Sequence, residues 1–101
     1  MSQPEKLSNN QKKYLRGIAH GLNPMITIGT NGVTESLMEE LESTLTHHEI
    51  LKIKIALTDR DKRQEITQHI LEETGALLVQ SVGKTCIIYR QNEETELPLP
   101  K

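Results

Sequence analysis

Ile28-Gly29-Thr30-Asn31-Gly32-Val33 is the stretch on which the reading of this chain turns. Residues 25–28 form an apolar run too short for a helix, which predicts a buried strand. Residues 34–45 carry Leu37, Met38, Leu41 and Leu45 at helical spacing. Two glycines between a strand and a helix allow a sharp turn. They also expose backbone N–H groups next to a helix N-terminus, whose first donors are unpaired. Strand, Gly-x-x-Gly, helix is therefore a place to bind an anion such as a phosphate. A plain connector uses the same pattern, so the flanking chain must decide between the two.

Upstream, residues 1–7 read as a loose arm. Ser8 and Gln11 make a capping-box pattern that starts a helix. Leu15, Ile18, Ala19 and Leu22 form its apolar face, and Gly21 and Pro24 end it. Lys12, Arg16 and His20 lie four apart on another side, with Lys13 beside them. No acidic residue occurs between Lys6 and Glu35, whereas a merely solvated face usually mixes both signs. The outer side of helix 34–45 is the opposite, with Glu35, Glu39, Glu40 and Glu42. Any phosphate contact should therefore concentrate at the loop.

Downstream, residues 50–57 alternate, with Leu51, Ile53, Ile55 and Leu57 on one face and Ile50, Lys52, Lys54 and Ala56 on the other. The two lysines fit simple solvation or an extension of the basic surface equally well. Residues 58–61 supply turn and cap residues. Ile66, Ile70, Leu71 and Thr74 mark a third helix stopped by Gly75. Residues 76–82 and 85–90 read as strands joined at Gly83-Lys84, a type II′ hairpin turn. The order α-β-α-β-α-β-β predicts an α/β fold with one mixed four-stranded sheet packed by helices. Residues 1–92 form the domain. Residues 93–101, with Glu93, Glu94, Glu96, Pro98 and Pro100, form a flexible acidic tail.

The chain has 101 residues, enough for one modest core, and with no Trp or Phe and two Tyr that core must be aliphatic. The net charge of −2 argues against a strongly basic binder only on average: setting aside Lys101 and the three tail glutamates leaves 11 cations and 11 anions of the original 12 and 14. No apolar run approaches the roughly 20 residues that span a bilayer, and no signal-peptide pattern opens the chain. The single cysteine, Cys86, fits a reducing compartment. These features predict a soluble cytoplasmic protein.

No catalytic set stands out. Cys86 lies in an apolar strand pattern and reads as a buried structural thiol. His20, His47, His48 and His69 are scattered over separate elements, so no metal site is expected. Gly83-Lys84-Thr85 mimics the end of a Walker motif but falls in a hairpin. No cofactor, membrane or small-molecule substrate is expected.

The combination of these pieces resembles the stand-alone bacterial YhbY-like proteins of the CRM family, the chloroplast RNA splicing and ribosome maturation domain. The matching residues are Leu7-Ser8, Gln11-Lys12, residues 15–20, Pro24, residues 29–35, residues 47–54, Thr74-Gly75-Ala76, residues 82–85 and Tyr89-Arg90. The resemblance covers roughly residues 7–90. It implies a fold similar to the C-terminal domain of translation initiation factor three, and a GxxG loop likened to that of KH domains, which clamps backbone nucleotides. It further implies ribosomal RNA, within a precursor of the large ribosomal subunit, as the partner, and a non-enzymatic role in ribosome biogenesis. By position, the loop role falls on Gly29, Thr30, Asn31 and Gly32. The basic contribution falls on Lys12, Lys13, Arg16, His20, Lys52, Lys54 and Lys84. The acidic balance departs from the family's more basic bacterial members. A second reading is a protein-interaction module that docks a basic ribosomal protein through the acidic helix and tail.

Overall fold

The structure, a computed structural model, describes residues 6–91. The elements are α1 (Asn9–His20), β1 (Ile26–Ile28), α2 (Glu35–His48), β2 (Ile50–Ile55), α3 (Arg60–Thr74), β3 (Leu77–Val82) and β4 (Thr85–Tyr89). This is the expected order. Residues 1–5 of the arm and the tail 93–101 lie outside the described residues. The loose arm is corrected at its last residue: Leu7 is buried and packs with Leu15 and Ala19 of α1.

Local chemistry accounts for most boundaries. Ser8 Oγ accepts the Gln11 N–H at 3.2 Å and Gln11 Oε1 accepts the Ser8 N–H at 2.9 Å, a complete capping box. Asp59 caps α3 by accepting the N–H groups of Asp61 and Lys62. Gly75 (φ 73°) and Gly83 (φ 57°) take the left-handed conformations that their helix stop and hairpin turn require. α2 runs one turn past the expected end, because the apolar pattern stops at Leu45 and the last turn is polar. Glu49 ends it at φ 59°, and its carbonyl accepts the Arg90 N–H at 2.8 Å. Gly21 caps α1 where expected, its N–H donating to Ile18 O at 3.3 Å, but its φ of −86° makes no use of glycine's freedom.

The strands line up as β1-β2-β4-β3, with β1 parallel to β2 and the other pairs antiparallel. β4, last in the chain, therefore lies inside the sheet, and β3 forms an edge with an irregularity between Leu78 and Gln80. Alternation sends Leu51, Ile53 and Ile55 to one face, where they pack with Leu41 and Leu45 of α2 and Ile70 of α3. Ile50, Val79, Ile87 and Tyr89 go to the other face, under Leu15 and Ala19 of α1. α1 thus covers one side of the sheet, and α2 and α3 cover the other. Arg90 ties the second layer to the sheet's end: its guanidinium lies 2.6 Å from the Glu42 carboxylate and donates to the Thr74 carbonyl at 3.0 Å.

Candidate nucleic-acid interface

Parallel pairing of β1 and β2 carries both strands to the same end of the sheet. Ala56 N–H donates to Ile28 O at 2.8 Å there, and Ile55 N–H donates to Lys84 O at 2.7 Å. The GxxG loop, the β2 exit and the hairpin tip are therefore neighbours along one rim. Residues 29–32 form a turn closed by Gly32 N–H donating to Gly29 O at 3.0 Å. Gly32 has φ 69°. Gly29 lies outside the positive-φ region, and Thr30 and Asn31 are exposed.

The turn is less open to an anion than the sequence suggested. The Gly32 amide is used inside the loop. α2 begins only at Glu35, after Val33 and the cap Thr34, whose Oγ1 accepts the Leu37 N–H at 3.2 Å. Its first turn carries the Glu35 carboxylate. The cations near this rim are therefore better placed to attract a phosphate than the helix end is.

Those cations are unequally placed. Lys54 is exposed on the α1 side of the sheet, paired with Thr27 of β1 and Thr85 of β4. Val82 pairs with Thr85 and is 60% exposed, so the row Thr27, Lys54, Thr85, Val82 crosses four strands beyond the cover of α1. Lys84 stands exposed at the hairpin tip. Lys52, two residues before Lys54, is half-buried, and its Nζ donates to Leu22 O at 3.1 Å and Ala19 O at 3.4 Å. It adds a charged donor at the C-terminal end of α1, where the Gly21 and Leu22 N–H groups already bond Ile18 O and Ala19 O. On α1 itself Lys13, Arg16 and His20 are exposed and Lys12 is half-buried.

Three residues beside these cations escaped the sequence reading. Thr27 and Thr85 flank Lys54 only through strand register. Arg60, read as a turn residue, shares with Arg63 and Gly83 a cleft of about 370 Å³ near the hairpin. Arg63 is engaged by the Leu57 carbonyl at 2.7 Å, and Arg60 is exposed.

The remaining clefts have a different character. A cleft of about 740 Å³ between α3 and β3 is lined by Asp61, Glu65 and Glu72 and by no Lys or Arg, so it repels phosphate. Among the described residues, no group of three His, Cys, Asp or Glu is placed to hold a metal, and no helix is long and apolar enough to cross a membrane. Burial pushes the Cys86 thiol up to about 11, opposed by a hydrogen bond with Thr67, which leaves it protonated and inert. Gly83-Lys84-Thr85 lies in the hairpin, not before a helix.

Known proteins resemble this chain over most of its length. The chain is 44% identical over 95 residues to a Haemophilus influenzae protein named "RNA-binding protein", covering 94% of this chain and 96% of the relative. It is 40% identical over 86 residues to a Pseudomonas aeruginosa protein named "Probable RNA-binding protein", covering 85% and 83%. A solved Staphylococcus aureus protein, with a proposed RNA-binding role, is 34% identical and superposes with a TM-score of 0.79 over 93% of this chain and 99% of that one. The family model described as the CRS1 / YhbY (CRM) domain matches residues 7–90. With that match and these relatives, the chain belongs to the CRS1 / YhbY (CRM) domain family.

Proposed function

We propose that this chain is a non-enzymatic RNA-binding protein that holds ribosomal RNA within a precursor of the large ribosomal subunit and assists its assembly in the bacterial cytoplasm. The segregation of charge across the sheet carries this reading. The acid-free stretch between Lys6 and Glu35 forms α1, β1 and the loop, while Glu35, Glu39, Glu65, Glu72 and Glu73 sit on the opposite layer. A polyanion laid on the α1 side meets Lys12, Lys13, Arg16 and His20 on the helix, then Lys54 on the open sheet row, and Lys84 and the GxxG turn at the rim. Lys52 contributes by holding the end of α1. Tyr89 is buried and Tyr14 half-buried against the core, and the chain has no Trp or Phe, which favours contact with the phosphate backbone. The names of the relatives support RNA as the partner. Tagged protein run on a sucrose gradient tests this reading. It should co-migrate with immature large subunits and be sparse on translating ribosomes, and enrichment on the small subunit alone would overturn the assignment.

One observation favours a second reading. Between α2 and α3 lies a cleft of about 380 Å³ with Met38 in its lining and Glu35, Glu39 and Glu73 around it, and no Lys or Arg. That chemistry suits a basic segment of a ribosomal protein with an apolar anchor. A pull-down with and without ribonuclease separates the two: a protein partner that survives digestion is docked directly.

A further inference from the structure

Three of the chain's six glycines have a conformational reason to be glycine, with φ of 69° at Gly32, 73° at Gly75 and 57° at Gly83. Gly17 has none. It lies in the interior of α1, it is exposed, its φ is outside the left-handed region, and a Cβ built on it meets nothing within 4 Å. Glycine is among the poorest residues for a helix interior, because the unfolded backbone loses the most freedom there. Gly17 therefore weakens α1, and among the described residues nothing packs into the space a Cβ would take. Gly29, the first glycine of the loop, is of the same kind, with ordinary φ and open space where a Cβ would stand. The glycines with positive φ are thus distinct from Gly17, Gly21 and Gly29, and all three of these lie on the acid-free part of the chain.

The surroundings of Gly17 say what could approach it. Helical geometry places Lys13 one turn before it, His20 one turn after it and Arg16 alongside. All three are exposed. Without a Cβ, the helix surface is lowered between three cationic or titratable side chains. A sugar–phosphate strand crossing there can touch the backbone and remain within reach of all of them. A side chain at position 17 would hold the strand away. Mid-helix N–H groups are already bonded within the helix, so the gain is close approach for ion pairing, not amide donation.

We propose that Gly17 is an RNA contact residue: the sugar–phosphate backbone crosses α1 at Gly17, between Arg16 and His20, with Lys13 behind. This rests on the RNA-binding reading above and adds to it a place and a manner of approach.

The test uses the full chain and its Gly17→Ala and Gly17→Leu variants. Each is measured for thermal melting and for filter binding to in-vitro transcribed large-subunit ribosomal RNA. Gly17→Ala should raise Tm by about 4 °C or more, since alanine suits the helix and the space is open. The same substitution should weaken Kd roughly threefold, and Gly17→Leu roughly tenfold. The salt slope should flatten in the Leu variant by about 1, because the displaced strand leaves ion-pairing reach of the neighbouring cations although none is removed. A Leu variant that binds as the parent does overturns the inference. So does a lower Tm in both variants, which would make the glycine a requirement of the fold. A parent that fails to bind the RNA defeats the RNA reading itself, and this is seen before any variant is made.

Discussion

The ammonium of Lys52 lies 3.1 Å from the carbonyl oxygen of Leu22, thirty residues earlier in the chain. With the Ala19 carbonyl at 3.4 Å, this single side chain fastens β2 to the end of α1. It adds a polar tie to the apolar packing of Leu15 and Ala19 that seats the basic helix on the sheet. Lys54, on the same face of the same strand, has no such duty and points its charge into solvent.

Lys52 and Lys54 should therefore respond oppositely to the same substitution. Lys52→Met leaves two carbonyls without their charged donor and should cost about 1–3 kcal/mol in urea unfolding. Lys54→Met should change stability by no more than about 0.5 kcal/mol. In RNA binding measured against salt, Lys54→Met should flatten the slope by about 1. If Lys52→Met flattens the slope while leaving the unfolding midpoint unmoved, Lys52 is a phosphate ligand and not a structural tie.

Replacing Lys12, Lys13 and Arg16 together with Ala removes the cations of α1 without touching Leu15 or Ala19, which are fully buried. The melt should be retained, and the salt slope should fall by about 1 for each phosphate that is no longer neutralised. Binding indistinguishable from the parent at every salt concentration would make this side of the helix a solvated face.

The two loop glycines should separate cleanly. Gly32→Ala forces a Cβ into φ 69° and should cost about 1–2 kcal/mol, whereas Gly29→Ala should leave the melt near that of the parent. Thr30→Asp with Asn31→Asp keeps both glycines and places two negative charges where the proposed function brings phosphates. The expected loss of RNA affinity is about 1.4–3 kcal/mol, roughly ten- to hundredfold, with stability preserved. An unchanged affinity with an unchanged melt would reduce the turn to a connector.

Cys86 supplies a prediction about pH. Burial raises its folded-state value from 9.0 to about 11, with the Thr67 hydrogen bond acting the other way. The native state holds its proton more tightly than the unfolded chain, so the associated stability is complete below pH 9.0 and is lost as pH rises through about 11. Two pH units correspond to about 2–3 kcal/mol. Cys86→Ala should remove this part of the alkaline destabilisation, which is read as the difference between parent and variant unfolding curves from about pH 8 to 11. A thiol reagent at about pH 8 should label the parent only after denaturation, and rapid labelling of the folded chain would contradict the burial.

The sequence alone determined the elements, because each is written in short-range terms. The Ser8 and Gln11 pair, the alternation from Ile50 to Ile55, and Gly75 and Gly83 act within one turn of helix or one hairpin, where spacing and backbone sterics suffice. The family resemblance was legible for the same reason, as it rests on local motifs. The GxxG turn and the cations of α1 could be named from the chain, but not their condition. Only the tertiary structure showed that Lys52 is spent on Leu22, that the Gly32 amide is closed on Gly29, and that Leu7 is buried. It also brought β4 between β2 and β3, set Thr27 and Thr85 beside Lys54, and drew Arg90 to Glu42 across 48 positions. Such contacts depend on which face each element buries and on which strands pair once the whole chain has closed, and those choices minimise exposed apolar surface and unpaired backbone over the entire domain. No window of residues contains that sum.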